Sequence, residues 1–215
     1  STTSDLIPLW QGRPCSKGTT DFTRLLAGEL VYSGVRRTPV CALPGDVSLF
    51  GGTLRPAAEL FATTLDVWLL LGEIAESELD CDTANGRPAT RLAAIDRLAR
   101  SFCCDRTELS AEDVLSVARQ FAAAQEEQLT QALKRVTAEN TGIFLSVIVS
   151  GSGSFLARRV IAKNSSTESA EVVSLDSHLT PEIAAAAPAC AVAVLAHEET
   201  HGVFQRDLLP HPAGG

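Results

Sequence analysis

The chain has 215 residues, 45% of them hydrophobic, and a formal net charge of −8. That length and apolar fraction suffice for one sizeable domain or two small ones and exclude a mainly disordered chain. The acidic balance excludes a broad phosphate-tracking groove for nucleic acid, and the longest apolar runs, Val67 to Leu71 and Ala189 to Ala196, fall far short of the roughly 20 residues of a membrane-spanning helix.

In chain order, SDLIPLWQGRPC reads as strand, turn and strand, with Gln11-Gly12 as the hairpin turn. A polar Lys-Gly-Thr-Thr-Asp stretch leads into DFTRLLAGELVYSG, where Phe22, Leu25 and Leu26 recur at helical spacing. Leu54 to Ile74 predicts a strong helix, with Pro56 tolerated in its first turn. EIAESELDCDTANGRPAT then breaks all periodicity, and a loop of that length is functional or mobile. Thr90 to Cys104 predicts a helix with Leu92, Ile95 and Leu98 on one face. Ser110 and Asp113 outline a capping box for another that runs to about Glu139. Ile143 to Val149 is a continuous apolar run that fits a parallel strand buried on both faces. It feeds the glycine turn SGSGS, the helix FLARRVIAKN and the strand EVVSL, a βαβ unit that implies a parallel sheet. Thr180-Pro181-Glu182 caps a helical segment that Pro188 restarts or kinks, with Ala189 to Glu199 as the last helix. The fold class is therefore α/β.

There is no methionine, and STTSD is neither an initiator start nor a signal peptide, so the chain reads as cut from something longer. Its six cysteines, Cys15, Cys41, Cys81, Cys103, Cys104 and Cys190, form no C-x-x-C pair. A reducing cytoplasm, with most thiols acting as small core residues, is the expectation.

Four stretches carry chemistry. STTSD clusters hydroxyls with an acid ahead of a hairpin; such a turn is either ordinary polar punctuation or a holder of phosphate oxygens, with Asp5 meeting a metal ion or a water. In SGSGSF, Gly151 and Gly153 let a ligand approach backbone and the next helix offers its N-terminus to an anion. A dinucleotide fingerprint wants a small residue where Leu156 stands, which leaves a bare strand-to-helix turn or a phosphate loop of another design. The third pair of stretches sets Arg24, Glu29, Tyr32, Arg36 and Arg37, then Asp80, Asp82, Arg87 and Arg91, beside Gly28, Gly34 and Gly86. Arginines there suit a bidentate grip on phosphate or carboxylate and paired aspartates suit Mg²⁺, while solvated loop charges are the plain alternative.

The fourth is HEETH, His197 to His201, which matches the H-E-x-x-H zinc pattern with Glu198 as general base and Asp207 as third ligand. Phe204 stands where the corresponding zinc proteases keep glycine, the methionine turn is missing, and Gly202 ends the helix near the terminus. Zinc is not expected, and a solvated helix end is.

STTSDLIPLWQGRP, TDFTRLLAGELVYSGVRRTPVCAL, ATTLDVWLLLGEI, DTANGRPATRLAAIDRLARSFCCD and VSGSGSFLARRVI, in that order, resemble the hydantoinase/oxoprolinase-like (hydantoinase A type) proteins linked to tetrahydromethanopterin and methanofuran one-carbon metabolism. The resemblance implies a ribonuclease-H-like domain of the actin-like, sugar-kinase and Hsp70 ATPase superfamily. Residues 1–200 would be its second part, with an inserted helical segment at about 54–140, a disordered tail at 201–215 and the first domain half missing upstream. STTSD would be most of the second phosphate loop, without its leading Asp-x-Gly, and SGSGS the adenosine-side glycine loop. The family more often has threonine where Ser4 stands and aspartate where Asn85 stands.

The activity the resemblance implies is a transferase. It couples an aminomethyl-furanmethyl diphosphate to the phenol of γ-glutamyltyramine and releases diphosphate; the alternative is an ATP-dependent hydrolase of hydantoin or 5-oxoproline rings. On that reading Ser1, Thr2, Thr3, Arg24, Tyr32, Arg37, Arg87, Gly151 and Gly153 bind phosphate or substrate. Asp5 and Asp82 organise Mg²⁺, and Asp5, Glu29 and Asp66 are the catalytic acids, with Glu29 or Asp66 helping to activate the phenol. Mg²⁺ is the expected cofactor, ATP belongs to the alternative, the missing upstream half is a partner, and a homo-oligomer stays open.

Overall fold

A computed structural model describes residues 1–139, 144–180, 183–184 and 186–203. The chain divides into two compact units, Ser1–Thr141 and Gly142–Gly215. The architecture is mixed α/β with small sheets, all two-stranded among the described residues.

In the first unit β1 (Ser4–Asp5) pairs antiparallel with β4 (Leu30–Val31). The hairpin β2 (Leu9–Trp10) and β3 (Arg13–Pro14) turns at Gln11-Gly12, both at positive φ (49° and 75°), as the sequence predicts. Helix α1 (Asp21–Ala27) opens on a reciprocal Thr20–Thr23 capping box and stops at Gly28, which is left-handed (φ 73°). Its Phe22, Leu25 and Leu26 keep helical spacing yet lie exposed. Past Gly28 the chain forms β4, a strand the helical reading of DFTRLLAGELVYSG missed.

The helix expected from Leu54 is corrected. Residues Gly52–Leu54 form β6, paired with β5 (Val47–Leu49) across Phe50-Gly51, both at positive φ. Helix α2 is only Thr64–Leu70: Thr63 and Asp66 form a capping box, so the first turn starts there. The helical segment thus begins ten residues later than read. All of α2 is buried, packed against α3 (Arg91–Arg100) and α4 (Ala111–Glu139). The helix read from Thr90 is present, with Thr90 as its N-cap, but α3 ends before Cys104, and Cys103 takes positive φ. The Ser110–Asp113 box opens α4 as read. Leu65, Trp68, Leu69, Leu98, Val114 and Phe121 form the heart of the core.

In the second unit β7 (Ser146–Val149), α5 (Ser154–Ala162) and β8 (Glu171–Ser174) form the expected parallel βαβ unit. Burial of β7 on both faces is corrected: Ile148 is exposed and only Val149 is buried, since a two-stranded sheet covers neither face fully. Ile143 lies outside the described residues. The last helix, α6 (Ala187–His201), carries Pro188 in its first turn and ends at Gly202, as predicted. Of the tail read as disordered, residues 204–215 lie outside the described residues. Among the described residues no helix is long and apolar enough to cross a membrane.

Candidate functional site

The first unit brings STTSD and the segment SGVRRT, residues 33–38, together. β1 lies beside β4, and Ser4 Oγ donates to Ser33 O at 2.7 Å. Ser1 O accepts from the Arg36 and Arg37 N–H groups at 3.4 and 3.2 Å, and Ser1 Oγ accepts from Val35 N at 3.2 Å. Gly34 is required at this crossing, because a Cβ there would sit 2.6 Å from the Ser1 carbonyl. Thr2 and Thr3 are half-buried, and their hydroxyls make no hydrogen bond among the described residues.

Arg24 and Asp5 bind each other. Their ion pair measures 2.7 Å, and Arg24 also donates to Glu29 O at 3.4 Å. Glu29 is buried, and its two carboxylate oxygens accept from Lys17 N (2.7 Å) and Gly18 N (3.0 Å). That clamp closes the loop ahead of α1. Arg36 reaches Asp80 at 2.5 Å, and this guanidinium holds the Asp80 carboxyl below the usual carboxylate range. Asp80 Oδ1 accepts from Asp82 N at 3.1 Å, so the Arg36 pair also orders the DCDTANG loop. Arg37 and Tyr32 are exposed, and neither side chain has a hydrogen bond or ion pair among the described residues. The Asp82 carboxylate is likewise exposed.

Asp66 is buried in α2. Its Oδ1 accepts from Arg97 Nε and lies 2.7 Å from Arg97 Nη2; its Oδ2 accepts from Thr63 N at 3.0 Å. Burial pushes the Asp66 pKa up, against the hydrogen bond and charge of Arg97 and the Thr63 N–H. Arg97, also buried, continues to Asn85 Oδ1 (3.2 Å) and Pro88 O (3.4 Å). Asn85 thus faces a guanidinium rather than open solvent alone. Arg97 was missed in the sequence, because a charged residue in an amphipathic helical pattern argues for the outer face. Arg87 lies 3.8 Å from Asp96, away from the Arg36 pair in sequence and partner. Leu60, Phe61, Asn85, Asp96, Arg97 and Arg100 line an open cleft of about 460 Å³.

In the second unit Gly151 takes φ 89°, and its carbonyl accepts from Ser154 Oγ at 2.7 Å, while Gly153 caps α5. The SGSGS turn is therefore a tight strand-to-helix connection with its helix N-terminus following. On α6 the His197 and His201 rings stack at 4.8 Å, and His201 Nδ1 contacts Thr200 Oγ1 at 2.5 Å. Phe204 and Asp207 lie outside the described residues.

For Mg²⁺ the donor chemistry is oxygen: of the two acids read for it, Asp82 is exposed and Asp5 is ion-paired with Arg24. Among the described residues there is no group of three or more His, Cys, Asp or Glu side chains that could hold a metal. A Mg²⁺ ion commonly uses one or two carboxylates and completes its shell with substrate phosphate and water. The residues present fit that pattern and no all-protein cage.

The profile of the hydantoinase/oxoprolinase family matches residues 1–199. The chain is similar to a (4-{4-[2-(gamma-L-glutamylamino)ethyl]phenoxymethyl}furan-2-yl)methanamine synthase of Methanococcus vannielii, 26% identical over 206 residues, which is 96% of this chain and 91% of that relative. A protein of the same name from Methanocaldococcus jannaschii is 33% identical over 121 residues, 56% of this chain and 36% of that relative. The aligned segment is thus about a third (36%) of the second relative's length.

Proposed function

This chain belongs to the hydantoinase/oxoprolinase family, and from that premise we propose that the whole protein is a transferase forming the phenoxymethyl-furan ether of a methanofuran precursor. The observation that carries the reading is the match along 96% of the chain to a relative named for that product. In the reaction the bond between the furanmethyl carbon and the diphosphate oxygen breaks, and the phenol oxygen of γ-glutamyltyramine bonds to that carbon. The phenol proton passes to water or to a phosphate oxygen of the departing diphosphate, which leaves.

Charge develops on the leaving diphosphate, so preorganised donors there lower the barrier. Arg37, exposed and without an internal partner among the described residues, takes diphosphate oxygens, with the Thr2 and Thr3 hydroxyls beside its turn. Ser1, Tyr32 and Arg87 complete the binding residues of this reading in the first unit, where Arg24 holds Asp5; Gly151 and Gly153 are assigned to phosphate binding within the second unit by itself. Asp82 and Asp5 are the residues assigned to Mg²⁺, which when bound neutralises charge on the diphosphate. Glu29 and Asp66 are assigned to holding the site rather than to taking the phenol proton, because their carboxylate oxygens already accept hydrogen bonds inside the core. The fold proposed is the actin-like ATPase type, a reading supported by the parallel βαβ unit, and the location proposed is the cytoplasm.

The family description, hydantoinase/oxoprolinase, also supports a ring hydrolase, which in this second reading consumes ATP, and one experiment separates the two. The whole protein is incubated with Mg²⁺, the furanmethyl diphosphate and γ-glutamyltyramine, and products are read by mass spectrometry. The coupled ether with released diphosphate and no ATP is the expected result. Ring opening of hydantoin or 5-oxoproline that consumes ATP, without coupling, overturns it.

A further inference from the structure

We propose that Gln125, in the middle of α4, is a positioning residue: it locks the backbone of the Ser33–Thr38 turn and thereby sets where Arg36 and Arg37 stand. The inference rests on the reading that Arg37 takes the diphosphate. Gln125 is fully buried in a helical core where an apolar side chain would pack without needing partners. Its amide is instead satisfied across three elements. Oε1 accepts from Trp68 Nε1 on α2 at 2.8 Å; Nε2 donates to Ser33 Oγ at 3.0 Å and to Gly34 O at 2.9 Å.

The indole N–H only donates, so it fixes which end of the amide is oxygen and turns both amide hydrogens toward the Ser33–Gly34 backbone. Gly34 O takes a second bond from Thr64 Oγ1 at 2.7 Å, and Gly34 N donates to Thr38 Oγ1 at 2.9 Å. With Ser4 on Ser33 O, the turn is held at both ends and from both sides. From this fixed backbone Arg36 reaches Asp80, and Arg37 projects at the surface. A fully satisfied buried polar network specifies one arrangement because any partial one strands a group at low dielectric. Gln125 stands 91 residues from Gly34 in sequence, and no loop motif contains both.

The test uses the whole protein carrying Gln125→Glu, which keeps the size and the acceptor for Trp68 but loses both donors and sets an oxygen against Gly34 O. Two quantities are measured: amide hydrogen exchange of the Arg36 and Arg37 N–H groups, which donate to Ser1 O, and KM for the furanmethyl diphosphate and for γ-glutamyltyramine separately. The expected result is faster exchange at both amides, as the turn loses its anchor. With it, the diphosphate KM rises about tenfold, equivalent to about 1.4 kcal/mol, and the acceptor KM is unchanged. A purely structural defect lowers the active fraction and leaves both KM values alone. Trp68→Phe, which removes the bond that orients the amide together with part of the indole volume, gives the same shifts at smaller size and serves where Gln125→Glu does not fold. A folded variant with wild-type exchange at Arg36 and Arg37 overturns the positioning role. Faster exchange with an unchanged diphosphate KM leaves the turn's anchoring standing and overturns the part assigned to Arg37.

Discussion

Arg36 and Asp80 lie 44 residues apart and meet at 2.5 Å, with Asp80 titrating below its usual range because the guanidinium donates to it. A carboxyl whose folded pKa is depressed contributes stability above its ordinary pKa of about 3.9 and loses it as pH falls through the lower folded value. Arg36→Ala should therefore bring the Asp80 pKa up to the ordinary range by NMR, and the stability difference between variant and wild type should vanish in urea melts at the most acidic pH. Arg97 and Asp66 differ, being buried together. Arg97→Met strands a buried carboxylate and should cost about 3–5 kcal/mol. Adding Asp66→Asn removes that charge while keeping an oxygen for Thr63 N, and should recover most of the loss in the same melts. Both arginines were visible as letters in the sequence. Only Arg36 was legible as part of a site, because it stands beside a glycine in a loop; Arg97 hid in a helical pattern, where its charge argued for the outside.

The elements divide in the same way. Helix α4 was legible at both ends because Ser110 and Asp113 write the capping box directly, and its long amphipathic run does the rest. Ser110→Ala should cost about 1 kcal/mol, seen as a lower urea midpoint with an unchanged slope. The β5–β6 hairpin was not legible, since three-residue strands show no period to read. Its support comes from afar: Gln120 on α4 accepts from Ser48 N at 2.8 Å and donates to Ser48 O at 3.0 Å, replacing a neighbouring strand with one amide. Gln120→Ala should raise amide hydrogen exchange at Ser48 above that at the core of α4. For α2, the Thr63–Asp66 spacing marked the true start, but the apolar run and the tolerated Pro56 extended the reading backwards past it.

At the scale of the molecule, an acidic chain of net charge −8 is read as gathering an anionic donor with arginines at one turn. Chelation of divalent ions should abolish ether formation by the whole protein and added Mg²⁺ should restore it, measured as diphosphate release. The boundary between the two units, at Thr141–Gly142, was not legible: the sequence moves from α4 to a strand with no proline or run of charge to mark a linker. The βαβ order of the second unit was, because an apolar run, a glycine turn and a helix follow one another without interruption. The buried indole that orients Gln125 also makes the chain optically self-reporting. There are two tryptophans; Trp10 is 68% exposed and Trp68 is at 0%. Trp10 emits as a water-facing indole open to iodide quenching, while Trp68 emits from a dry, hydrogen-bonded site one amide away from the arginine turn. In a Trp10→Phe background the remaining tryptophan emission comes from Trp68, so titration with inorganic diphosphate should show whether the anion is felt at the indole that orients Gln125.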